Sequence, residues 1–132
     1  MKLERIILQN FRGFTGRIEI PVSKTTTLVG RNDAGKSSIL DALGVFFEHP
    51  LYKLDPKDLN IAPDESGEMR IGCVFSGLPE SLILDAAVTT TLSQEYLLNK
   101  EGMLEMHKVW SCGAYNRTLV IRYIHAEFCY TP

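Results

Sequence analysis

The chain has 132 residues, 45% of them hydrophobic and 23% charged, the balance of an ordinary soluble globular protein with material for one domain. Such a domain buries roughly two-thirds of its unfolded surface. No run of about eighteen apolar residues occurs, and Lys2, Glu4 and Arg5 break any signal-peptide pattern, so no membrane partner is expected and the default location is the cytoplasm. Charge is uneven: residues 1–40 hold seven Lys/Arg against three acids, net +4, and the remainder holds seven against thirteen, net −6. A basic first third suits a polyanionic ligand, while a pI of 5.9 speaks against a general nucleic-acid surface.

Thr25-Thr26-Thr27-Leu28-Val29 is β-branched and apolar and reads as a buried strand. It leads into Gly30-Arg31-Asn32-Asp33-Ala34-Gly35-Lys36-Ser37, which fits the phosphate-binding loop G-x-x-x-x-G-K-[ST] at every fixed position. Ser38 to Phe47 then reads as a helix with Ile39, Leu43 and Phe47 on one face. Strand, glycine loop and helix together form a nucleotide site. Gly30 and Gly35 let the backbone take positive φ and approach phosphate oxygens. Successive N–H groups at the helix start add partial positive charge. Lys36 supplies a point charge for the β- and γ-phosphates, and the Ser37 hydroxyl is placed to ligate the Mg²⁺ that bridges them. The candidate phosphate-binding set is therefore residues 30–37 together with Ser38.

His49 precedes Pro50 at the expected helix end, where an imidazolium favours the helix dipole and proline stops the helix. Residues 49–67, with three prolines (50, 56 and 63) and several acids, read as a connecting loop holding one turn. From Glu68 the pattern alternates, placing Met69, Ile71, Cys73 and Phe75 on one face of a strand, and residues 68–132 read as a mostly β region. Pro79 to Ala87 is expected as a short helix with Pro79 near its first position. Tyr96–Leu98, the turn Asn99–Gly102 and Leu104–Trp110 read as a β-hairpin, and Arg117–Tyr130 as a further strand. Cys73, Cys112 and Cys129 are odd in number and widely spaced, which suits reduced core thiols better than ligands or disulfides. The three histidines lack metal-ligand spacing, so no metal beyond nucleotide-bound Mg²⁺ is implied.

Ile6-Ile7-Leu8-Gln9-Asn10-Phe11-Arg12-Gly13-Phe14, then Ile18-Glu19-Ile20, the loop, and Ser38-Ile39-Leu40-Asp41-Ala42-Leu43 resemble the start of ABC-type ATPases of the SMC/RecF/OLD group. The resemblance is close over residues 1–48; Asn32 and the Asp41-Ala42-Leu43 tail make it more specific than the loop alone. It implies two opening strands, a P-loop NTPase core of α/β class with α+β character, and an adjoining antiparallel sheet, all in one ATP-binding lobe spanning 1–132. It also implies ATP and Mg²⁺ as cofactors. Arg12 would lie near the nucleotide's phosphates or base; the alternative is a solvated arginine at a strand end. The segment after the first helix carries a polar metal-sensing residue in this group. Asp58 is the acidic candidate for that metal position, with a loop cap as the alternative.

Hydrolysis in such ATPases needs an Asp-Glu pair ending a strand and a Ser-Gly-rich signature loop, and this sequence holds neither. The nearest imitation, Leu82-Ile83-Leu84-Asp85-Ala86, has alanine in the glutamate's place. The resemblance implies that a C-terminal ATPase lobe or a second ATPase head completes the site, in a head-to-head dimer linked to DNA repair, chromosome handling or nuclease-associated defence, with any DNA contact made by other parts. A compact P-loop kinase or NTPase using Asp85, and a non-catalytic nucleotide-binding regulatory module, are the alternatives. Guanine specificity has no support: Asp41-Ala42-Leu43-Gly44 lies within the expected helix and Asn99-Lys100-Glu101-Gly102 lacks the final Asp of a guanine motif.

Overall fold

The computed structural model describes residues 1–31, 35–60, 62, 63, 65, 67–95, 97–111 and 120–124. Seven strands, one α-helix and one 3₁₀ turn are assigned among them: β1 (Lys2–Phe11), β2 (Phe14–Pro21), α1 (Lys36–Phe46), the turn Pro56–Asp58, β3 (Glu68–Ser76), β4 (Leu82–Asp85), β5 (Val88–Thr90), β6 (Leu104–Ser111) and β7 (Val120–Ile124). Five strands form one antiparallel sheet in the order β2-β1-β3-β6-β7. The fold is mixed α/β with a mostly antiparallel sheet, as expected for the β region.

β1 lies inside that sheet, between β2 and β3, and its central residues Ile6, Ile7 and Leu8 are all buried. Ile6 and Leu8 point to the helix-side core, yet Ile7, between them, is also fully buried. Ile7 stands on the opposite face, registered beside Glu19 of β2 and Gly72 of β3. β3 alternates as its sequence requires: Met69, Ile71, Cys73 and Phe75 enter the core with Ile6, Leu8, Phe11 and Trp110. Burial pushes the Cys73 thiol up to about 12, so it packs as a small hydrophobe. α1 closes this core with Ala42 and Phe46, helped by half-buried Ile39, Leu43 and Val45.

The opposite face of the sheet carries a polar layer. His107 is almost fully buried, and its Nε2 lies 2.7 Å from Glu105 Oε1. Glu105 also takes hydrogen bonds from Asn99 and Arg17. Across the register from His107 stands Gly72, where any Cβ would collide with the imidazole. Glycine is the residue that lets this ring lie flat on the sheet.

Four local expectations are corrected. Thr25–Val29 forms no strand: Val29 is 88% exposed, and no strand among the described residues is hydrogen-bonded to the segment. Its β-branched side chains serve a local turn instead, with Ser23 N–H donating to Thr26 Oγ1 (2.9 Å) and Ser23 Oγ to the Thr25 carbonyl (2.8 Å). Such short-range bonds compete with a strand wherever no neighbour offers a ladder. Phe47 is not on the buried helix face; the helix starts at Lys36, its inward stripe runs Ile39, Ala42, Leu43, Phe46, and Phe47 caps the end with its ring mostly exposed. Residues 79–87 are not helical. Leu82–Asp85 pairs with Val88–Thr90 across Ala86-Ala87, because a four-residue run is too short for a stable helix and a β-branched partner lies two residues away. Of the expected Tyr96–Leu98 arm, the described part makes a single bridge, Leu98–Leu104, across the Asn99–Gly102 turn and forms no longer strand.

The turn within the 49–67 connection is present as Pro56–Asp58, with a capping box built by Asp55 and Asp58. Of the expected strand Arg117–Tyr130, the described part is β7; Cys112, Cys129, His125 and Tyr96 lie outside the described residues. No helix among the described residues is long and apolar enough to cross a membrane.

Candidate phosphate-binding site

The site grows from the start of α1. Gly35 is the N-cap, with φ 88° and ψ 8°, and no side chain caps the helix among the described residues. The first turn, Lys36-Ser37-Ser38, holds no acid. The free N–H groups and the positive end of the dipole therefore meet no protein carboxylate within that turn, the electrostatic setting an anion prefers. Gly35 is constrained twice. Its backbone is left-handed, and a Cβ there would lie 2.8 Å from Phe14 Cζ and 3.2 Å from Phe14 Cε2. The Phe14 ring, at the start of β2, thus lies directly against the loop.

Lys36 donates from its ε-amino group to the Gly30 carbonyl, tying together the two ends of the loop. That places a positive charge beside Gly30. Ser37 is exposed and Ser38 half-buried on the same turn, and Arg31 is exposed beside Gly30. Asn32, Asp33 and Ala34, the middle of the expected phosphate-binding set, lie outside the described residues.

Arg12 belongs to the same place. It occupies the turn between β1 and β2 with φ 49°. Its Nε donates to Asp58 Oδ1 at 2.9 Å, and its Nη1 to Asp41 Oδ2 at 2.5 Å. Nη1 also reaches Ser38 Oγ at 3.5 Å. Burial works against the charge on this guanidinium, but the hydrogen bonds and charges of Asp41 and Asp58 outweigh it and raise the Arg12 pKa above its ordinary value. Arg12 is thus no solvated strand-end arginine; it is a half-buried cation tied to the first helix.

Asp58, the sequence's candidate for a metal-sensing acid, has both carboxylate oxygens engaged. Oδ1 accepts from Arg12 and Oδ2 accepts from the Asp55 N–H at 2.8 Å, which is the capping alternative realised. Among the described residues no group of three or more His, Cys, Asp or Glu is placed to hold a metal by itself. The donor set fits a magnesium ion that arrives with a polyphosphate: one exposed hydroxyl, Ser37, with the remaining oxygens supplied by phosphate and water.

Sequence reasoning missed the latch that holds the Arg12 turn. Asn60, almost fully buried, donates from Nδ2 to the Arg12 carbonyl (2.5 Å), and its Oδ1 accepts from Thr15 Oγ1 and the Ala62 N–H. Asn10, also buried, accepts the Gly16 N–H and donates to the Glu68 carbonyl. Asp41 was visible only as part of a motif; its spacing of three from Ser38 is the signal that puts the two on one helix flank. Among known proteins, the family described as AAA ATPase domain matches residues 1–123 of the chain. No curated protein matches it.

Proposed function

The chain belongs to the AAA ATPase domain family, and from that premise we propose that it binds Mg²⁺·ATP through the loop at residues 30–38, as the ATP-binding half of a head similar to those of the SMC/RecF/OLD group. The observation that carries this reading is the start of α1: a left-handed Gly35, an acid-free first turn with no side-chain cap among the described residues, and Lys36 bonded to the Gly30 carbonyl. Glycine takes this left-handed conformation without strain, and first-turn N–H groups with no side-chain cap among the described residues are open to an anion, which supports the reading.

In the proposed complex the loop N–H groups and Lys36 hold the phosphates, Ser37 ligates the metal, and Arg12 faces the polyphosphate from the β1–β2 turn. Asn32, Asp33, Ala34 and Arg31 complete the loop. Asp58 is held by Arg12 and by the Asp55 N–H. Turnover requires an Asp-Glu strand and a signature loop, so the proposed partner is a C-terminal ATPase lobe or a second head, and DNA repair, chromosome handling or nuclease-associated defence are the processes such heads serve. The compact-enzyme alternative draws little from the fold. β4, which carries Asp85, pairs with β5 and is not hydrogen-bonded into the five-stranded sheet.

Calorimetric titration with Mg²⁺·ATP tests the reading. Lys36→Ala removes a charge-assisted contact of about 1.5–3 kcal/mol, so affinity should fall roughly 10- to 150-fold. Equal affinity in both proteins would remove the phosphate-loop assignment.

A further inference from the structure

Arg12 is held more firmly than a phosphate-facing arginine needs to be. Its backbone N–H donates to the Asp58 carbonyl at 2.6 Å and its own carbonyl accepts from Asn60. Its side chain is gripped by two carboxylates from different elements: Asp58 in the 3₁₀ turn takes Nε, and Asp41 in α1 takes Nη1. A guanidinium is planar, so fixing Nε and Nη1 fixes its whole plane and the direction of Nη2. Among the described residues Nη2 makes no hydrogen bond, and the side chain remains 32% exposed. Asp41 stands four residues after Ser37, on the same flank of the helix, so Arg12 is docked beside the turn that carries the proposed metal ligand.

We propose that Asp41 and Asp58 are positioning residues for nucleotide binding: they lock the Arg12 guanidinium against the first turn of α1 so that its outer N–H groups meet the terminal phosphates. This rests on the phosphate-loop reading above. Charge makes the proposal sharp. One arginine between two carboxylates is a cluster of net charge −1, which by Coulomb's law alone repels a polyanion. If the acids acted only through their charge, removing one would tighten ATP binding. If they act by orienting Arg12, removing one weakens it, because a guanidinium freed at one end loses its preset plane.

The test is calorimetric titration of the 132-residue protein with Mg²⁺·ATP and Mg²⁺·ADP, across Asp41→Asn, Asp41→Glu, Asp58→Asn, Arg12→Lys and the Asp41→Asn/Arg12→Lys double variant, with Lys36→Ala as reference. Circular dichroism and urea unfolding check that each variant is folded; the Asp41 side chain is 29% exposed against 14% for Asp58, so its variants keep the experiment decisive if Asp58→Asn unfolds. Asp41→Asn and Asp58→Asn should each weaken ATP by about 3- to 10-fold, the size of one charge-assisted hydrogen bond imperfectly made, and ADP by less. Asp41→Glu should restore part of the loss, and the double variant should bind no more weakly than Arg12→Lys. Unchanged or tighter ATP binding by folded Asp41→Asn overturns the proposal, as does full additivity in the double variant. An Asp58→Asn protein that loses its response to Mg²⁺ while Asp41→Asn keeps it overturns the role of Asp58 and makes it a metal ligand. Unchanged affinity in Lys36→Ala would overturn the parent reading and this one with it. A normal Lys36→Ala loss beside a tighter Asp41→Asn overturns this one alone.

Discussion

Gly35→Ala is the most demanding test of the loop geometry. At φ 88° an alanine pays the left-handed penalty of about 1–2 kcal/mol. Its Cβ would also sit 2.8 Å from Phe14 Cζ, inside normal contact, and overpacking of that kind costs about 1–3 kcal/mol when the neighbour cannot move freely. Phe14 is half-buried and packed against the core, so its ring can turn aside only by disturbing that packing. The two costs together come to about 2–5 kcal/mol. Urea unfolding measures the total. A second variant separates the parts: in a Phe14→Leu background the collision is relieved, so Gly35→Ala should there cost only the backbone share, about 1–2 kcal/mol. A Gly35→Ala protein within about 0.5 kcal/mol of wild type, or the same cost in both backgrounds, would refute the double constraint on this residue.

Ser37→Ala should diminish the benefit of Mg²⁺ to ATP binding more than it diminishes metal-free binding, because the hydroxyl acts through the ion; calorimetry with and without Mg²⁺ checks it, and an equal benefit in both proteins excludes Ser37 as ligand. His107 should make stability fall on the acid side: burial lowers its pKa below the ordinary 6.5, and Nδ1 is buried without a hydrogen-bond partner among the described residues, so protonation favours the unfolded chain. Its contribution is complete above about pH 6.5 and is lost below it by up to about 1.4 kcal/mol per pH unit, and His107→Gln should flatten the urea midpoint between pH 7.5 and 5.5. Finally, the 132-residue chain should bind ATP with turnover near background, since holding the ground state leaves the barrier unchanged. Steady phosphate release abolished by Lys36→Ala would instead promote a compact enzyme using Asp85.

The helix that starts at Lys36 and the alternating face of β3 were both legible in the amino-acid order. Each depends on interactions inside a single turn or a single strand. Gly35 needs its left-handed φ whatever surrounds it, and Met69, Ile71, Cys73 and Phe75 share a face because a strand repeats every two residues. Where a local signal met competition, tertiary structure decided. Thr25–Val29 has the composition of a strand but pairs with no strand among the described residues, and Leu82–Asp85 pairs with Val88–Thr90 instead of forming a helix. Ile7 shows the same dependence, since it is fully buried although it stands on the face opposite the helix-side core, which its own periodicity does not show. The arrangement around Arg12 was the least visible. Its partners Asp41 and Asp58 stand 29 and 46 residues away along the chain, and only the closing of the β1–β2 turn onto the helix and the 3₁₀ turn brings them within hydrogen-bond range. A pairing of that kind leaves no periodic trace in sequence, because it is set by where three separate backbones meet.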